Sequence, residues 1–171
     1  MSIETFPAVA LDRLPRRVQA QMVPAAMQHE LGLFIVDATW GTLTPIQLAP
    51  GVRTVAELEV IEHLEAGLPL IDTRLAHFHR DATIPGACCI PHEEIAQRLD
   101  SLDPTTPTIF FCNGPQCAAT PQAIDRLLAA GYPADAIAYY RGGIHDWITL
   151  GLPVRPGDQL DVPKSSGGSH R

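Results

Sequence analysis

The chain has 171 residues, 46% hydrophobic and 18% charged, which is a globular composition rather than a disordered one. A formal net charge of −7 argues against a nucleic-acid surface or an anionic-membrane surface. No apolar run approaches a membrane span, and the N-terminus lacks an apolar core behind a basic start, so a cytoplasmic location is expected, with the four cysteines held mostly as thiols.

Prolines at 7, 15 and 24 break any long helix near the start, leaving room for a short one over Met22 to Leu31. Leu33 to Asp37 reads as a strand, and Trp40 to Gly51 as a connector. Thr54 and Glu57 match a capping box, with Leu58, Ile61 and Leu64 as the apolar helical face and Gly67 at the exit. Leu68 to Asp72 predicts a strand, Ala87 to Ile90 another, and a short helix runs from Pro91 or His92 to Leu99. Thr108 to Phe111 is apolar without alternation, as expected of a strand covered on both faces. Thr120 to Ala130 predicts a helix with Pro121 at its first position and Gly131 past its end. Ala136 to Tyr140 predicts a strand, and Ile144 to Leu150 a last helix closed by Gly151 and Pro153. Strands alternating with helices imply an α/β fold, a parallel sheet between helical layers. The division expected is an N-terminal extension over 1–51 packing on a domain over 52–155, then a flexible tail over 156–171.

The chemistry concentrates in Pro107 to Thr120, PTIFFCNGPQCAAT. Cys112 ends an apolar strand, a small-residue loop follows, and a helix begins. Backbone N–H groups and the positive end of a helix can lower a thiol pKa there and hold an anion.

Four ordered segments then resemble the rhodanese-like domain family, from about Val52 to Val154. LIDTR (Leu70 to Arg74) is similar to the family's I-D-x-R strand end, and TIPGACCIP (Thr83 to Pro91) to its H-I-P-G-A-x-x-I-P segment. FFCNGPQC resembles the strand and active-site loop, and YYRGGIHDWITLGLPV (Tyr139 to Val154) the closing G-G-x-x-x-W…G-L-P segment. The resemblance implies a three-layer sandwich around a five-stranded parallel sheet. It also implies a sulfurtransferase that takes a sulfane sulfur from thiosulfate or a persulfide, holds it as a cysteine persulfide, and passes it to a thiol or cyanide.

Under that resemblance Cys112 is the nucleophile. The N–H groups of Asn113, Gly114, Gln116, Ala118, Ala119 and Thr120 would cradle the persulfide, with Arg74, Arg80 and Arg141 as the cations that could attract an anion. Gly114 lets the backbone approach closely. Cys117 is a second candidate: a resolving thiol, the nucleophile itself, or an unreactive small residue. The loop departs from the family's pattern. It is about two residues longer, and Ala119 stands roughly where an arginine is expected. A neutral loop predicts modest use of thiosulfate and a preference for a persulfide or thiol partner. Asp72 and Arg74 are expected to pair structurally, and Trp147 to fix the last helix. Cys88 and Cys89 are expected as small strand residues on opposite faces. His77 and His79 flank Phe78 in what reads as a surface turn. No metal or cofactor is expected. Expected partners are a small sulfur-donor anion or low-molecular-weight persulfide and a thiol acceptor, proteins included, with the chain a monomer or homodimer. The rival reading is a non-catalytic binding, sulfur-carrier or redox-sensing module.

Overall fold

A computed structural model describes residues 43–158, together with the backbone of 26–28 and 34–36. Expectations for the first twenty-five residues, for Trp40 and for the tail beyond Asp158 lie outside the described residues.

Two short strands, β1 (Ala26–Gln28) and β2 (Phe34–Val36), pair antiparallel with Met27 opposite Ile35. A strand therefore stands where a short helix over Met22 to Leu31 is expected. Pairing with a β-rich neighbour overrides weak local helix preference there. The Leu33 to Asp37 strand is present as β2.

The sheet that carries the domain has five strands in the order β3 (Arg53–Val55), β7 (Ile137–Tyr140), β6 (Thr108–Phe111), β4 (Leu70–Asp72), β5 (Cys88–Cys89), each pair parallel. Alternation along the strands divides the core in two. Ile71, Phe110, Ile137 and Tyr139 face one side, where they meet Ala123, Ile124 and Leu127 of α3 (Ala119–Ala129). Leu70, Ile109, Phe111, Ala138 and Tyr140 face the other, where they meet Val60 of α1 (Glu57–Glu65) and Ile144 and Trp147 of α4 (Gly143–Thr149). Each large apolar side chain so buried stabilises the fold by about 1.5–3 kcal/mol before conformational entropy is counted. This is the expected sandwich, and helices on both faces leave the strand ends as the open surface.

Four local expectations change. Thr54 is not a cap: it lies in β3, a strand the sequence reading missed, and its hydroxyl bonds the Ile46 carbonyl. The capping residue of α1 is Ala56, whose N–H donates to Glu59 Oε2 at 2.9 Å. That later start rotates the helix, so Val60 is buried while Leu58 is 74% exposed. Residues 92–99 form no α-helix, only 3-10 turns at Ile95–Gln97 and Leu99–Ser101, because each N–H reaches just three residues back. Pro121 is the third rather than the first residue of α3, still within the first turn where a missing N–H leaves no bond unmade.

The segment after Val154 is tied down further than expected. Arg155 bridges Thr83 in an antiparallel pair, and the Gly157 N–H donates to the His79 carbonyl at 3.0 Å. The histidines expected on a surface turn lie in a helix, α2 (Ala76–Asp81), where His79 is buried and His77 exposed.

Candidate active site

Parallel strands bring their C-terminal ends to one edge, and three of them meet at the cysteine loop. β6 leads into Cys112, β4 into Thr73 and Arg74, and β7 into Arg141. Thr73 ties two of them, because its N–H and hydroxyl both donate to the Phe111 carbonyl at 2.9 Å. Its hydroxyl also lies 2.8 Å from that of Thr120, at the start of α3.

The loop is shaped by what its carbonyls bond. A trans peptide points its C=O and its N–H in opposite directions. The first N–H groups of α4 take two carbonyls: Ile144 donates to Cys112 O and His145 to Asn113 O, each at 3.0 Å. Pro115 O accepts from both the N–H (2.7 Å) and the hydroxyl (2.9 Å) of Thr44. With these carbonyls turned outward, the N–H groups of Asn113, Gly114 and Gln116 are turned the other way. Gly143 permits the close approach of α4. Its φ is 62°, and a Cβ there would collide with the Cys112 carbonyl.

Inside the loop the two cysteine sulfurs meet. Cys112 and Cys117 are each 1% exposed and pack together with Ala119. Cys112 Sγ lies 3.5 Å from the Cys117 carbonyl oxygen, and the two thiol groups are in hydrogen-bond contact. The bond from Cys112 holds Cys117 down to about 7 despite its burial, helped by the N–H groups of Asn113 and Ala119 and by the charge of Arg74. Burial pushes the Cys112 thiol up, and the neighbouring Cys117 pushes it further, against the hydroxyl and N–H of Thr120. The two thiols therefore titrate as a pair, with Cys117 pushed down and Cys112 pushed up.

The expected site residues divide accordingly. Asn113, Ala119 and Thr120 aim N–H groups at the sulfurs. A Cβ at Gly114 would crowd Gly142 O and the His145 ring, Gln116 is half-buried, and Ala118 is exposed. Arg74 is buried and bound to Asp72, Nε to Oδ1 at 2.9 Å and Nη2 to Oδ2 at 2.6 Å, as expected of a structural pair. Asp72 also accepts from Thr83 Oγ1 at 2.9 Å and meets His79 Nδ1 at 3.1 Å. Burial alone would raise the Asp72 pKa, yet His79 and Arg74 together bring it below the usual carboxylate value. Arg80 is exposed on α2. Arg141 does not face the sulfurs with a free guanidinium: its Nε and Nη2 donate to the Thr44 carbonyl at 3.0 and 2.9 Å.

Thr44 is the residue that sequence reasoning missed. Besides Pro115 and Arg141 it bonds the hydroxyl of Tyr139 at 3.0 Å, so the chain ahead of the domain straps the cysteine loop. A lone threonine in a connector carries no pattern that could announce this. His145 lies in the first turn of α4. It sits beside Gly114, with burial and then Arg74 lowering its pKa.

Trp147 is buried and its Nε1–H donates to Pro153 O at 2.7 Å, which closes α4 as expected. Among the described residues no group of His, Cys, Asp and Glu could hold a metal ion, and no helix is long and apolar enough to cross a membrane.

The sheet order, the loop after β6 and the Asp72–Arg74 strand end define a rhodanese-type α/β domain. A family model described as Rhodanese-like domain matches residues 57–150, and the chain belongs to that family. It is 31% identical over 104 residues to the HTH-type transcriptional regulator Rv0324 of Mycobacterium tuberculosis, a match that covers 60% of this chain and 45% of that protein. The chain thus spans less than half the length of that curated relative. A thiosulfate sulfurtransferase from Pseudomonas aeruginosa is 28% identical with a TM-score of 0.52, over 63% of this chain and 21% of that one. A rhodanese-like domain from Anabaena sp. has the same fold at 21% identity and a TM-score of 0.52, over 69% of this chain and 89% of that one.

Proposed function

We propose that the chain is a sulfurtransferase that carries a sulfane sulfur as a persulfide on the Cys112–Cys117 pair. The observation that carries this reading is two free cysteines packed together inside a loop whose carbonyls at Cys112, Asn113 and Pro115 are bonded outward, which turns N–H groups the other way. Cys117 makes the first attack, because its surroundings lower its pKa while burial raises that of Cys112. The donor's outer sulfur bonds to Cys117, and the donor leaves as a thiolate or, from thiosulfate, as sulfite. The N–H groups of Asn113 and Ala119 then stabilise the anionic persulfide. An acceptor thiol or cyanide takes the sulfur in turn.

No arginine stands in the loop, and both nearby guanidinium groups are engaged, Arg74 by Asp72 and Arg141 by Thr44. A dianion such as thiosulfate therefore meets no free bidentate partner among these groups, which favours a low-molecular-weight persulfide as donor. The test is to incubate the reduced chain with thiosulfate or with glutathione persulfide and to locate added sulfur by peptide mass spectrometry. Added sulfur on the loop peptide, greater with the persulfide and lost in Cys117→Ser, supports the reading. Neither added sulfur nor released sulfide from either donor contradicts it. A sulfur- or redox-sensing module is the second reading, favoured by the likeness to a transcriptional regulator. It predicts loading without turnover to an acceptor.

A further inference from the structure

We propose that the cysteine loop also reduces the sulfur it receives: the second thiol expels the sulfane sulfur as hydrosulfide and leaves a Cys112–Cys117 disulfide. The inference rests on the persulfide reading above and adds an internal route of release.

The geometry supplies both reactants in one place. The two cysteines are five residues apart on one loop, Cys112 Sγ lies 3.5 Å from the Cys117 carbonyl oxygen, and together with Ala119 they form a small cluster of their own. Neither is in a disulfide. Each is 1% exposed, so an outside acceptor must enter the loop to reach a persulfide there. The partner thiol is already inside. An intramolecular thiol in a favourable geometry acts at an effective molarity that can reach on the order of 10⁵ M, well above any free thiol. The other two cysteines offer no such route. Cys89 sits on β5 with its sulfur against the Arg74 carbonyl, and Cys88 packs into the core on the α3 side.

The steps balance. Cys117 thiolate attacks the outer sulfur of a persulfide RSSH, forming the Cys117 S–S bond and releasing RS⁻. The sulfur of Cys112 then attacks Cys117 Sγ. The Cys112–Cys117 bond forms, the bond to the outer sulfur breaks, and that sulfur departs as HS⁻ while the Cys112 proton goes to solvent. The two cysteines are oxidised by two electrons and the sulfane sulfur is reduced by two. Hydrosulfide is the thiolate of a weakly basic thiol, which suits it as a leaving group. A low-molecular-weight dithiol, or two monothiols, returns the disulfide to the reduced pair and is itself oxidised.

The experiment uses the full reduced chain without air or added thiol, mixed with one equivalent of glutathione persulfide. Released sulfide is measured against a protein-free blank, and the loop peptide is weighed under non-reducing conditions. The wild type is expected to release about one sulfide per chain and to contain the Cys112–Cys117 disulfide. Cys112→Ser, with Cys112→Ala beside it and folding checked by circular dichroism, is expected to keep the added sulfur on Cys117 and release none. If the sulfur is instead trapped in Cys117→Ser, the first attack belongs to Cys112 and the internal release stands. A wild type that keeps its added sulfur and forms no disulfide overturns this inference and leaves the persulfide reading intact. No added sulfur and no sulfide in any form overturns both.

Discussion

Cys88 and Cys89 are adjacent on β5, whereas Cys112 and Cys117 are separated by a loop, and the two pairs behave in opposite ways. Alternation along a strand sends the side chains of Cys88 and Cys89 to different faces, so their sulfurs cannot share a proton. Burial and the nearby carboxylate of Asp72 push Cys89 up to about 12, which keeps it protonated. The loop instead turns two sulfurs toward each other and surrounds them with N–H groups, which brings Cys117 to about 7. Sequence proximity is therefore a poor guide to a reactive pair. What matters is whether the backbone between the cysteines reverses.

The largest expected effect strikes the frame that holds both pairs. Asp72→Asn leaves the buried Arg74 without its countercharge and should lower stability by about 3–5 kcal/mol, seen as a fall in the urea midpoint. It also removes one cause of the high Cys89 pKa, so the contrast between the pairs should narrow. Cys117→Ser should abolish it. With the low-pKa sulfur gone, alkylation of the loop at pH 7 should fall at least about fifteen-fold, the ratio between a half-ionised thiol and an unperturbed one, because burial raises the remaining Cys112 further. Arg141→Ala cuts the strap at Thr44 and should cost about 1.5 kcal/mol, with a small rise in the pH midpoint of Cys117 alkylation. Cys89→Ser should leave sulfur loading unchanged and shift stability by no more than about 0.5 kcal/mol. A loading defect in that variant would mean that the strand pair takes part.

Much of this frame was legible in the sequence. Thr108 to Phe111 and the helix after Thr120 announced themselves, because a buried parallel strand is uniformly apolar and an amphipathic helix is periodic. The strand ends and closing segment of the family were equally plain at Leu70 to Arg74 and Tyr139 to Val154. The rest depended on contacts between distant residues. β3 is three residues long and sits beside a segment that imitates a capping box, so only its pairing with β7 reveals it. Within the site, the position of the loop could be read, and so could its lack of charge. The opposite pKa directions of Cys112 and Cys117 could not, because they follow from burial and from the turn of the peptide planes. Nor could the engagement of Arg141 and Pro115 by Thr44, which lies 71 residues ahead of Pro115.

The central claim is that the paired sulfurs create one thiolate at neutral pH and that it resides on Cys117. The direct measurement is the rate of iodoacetamide modification of the reduced full chain against pH, resolved for each cysteine by peptide mass spectrometry. A thiol whose pKa is lowered is a thiolate above that value and loses reactivity as pH falls through it. Cys117 modification should rise with a midpoint near pH 7, while Cys112 and Cys89 stay slow at that pH. A Cys117 midpoint at or above its ordinary value of 9.0, or faster labelling of Cys112 at neutral pH, would contradict the account.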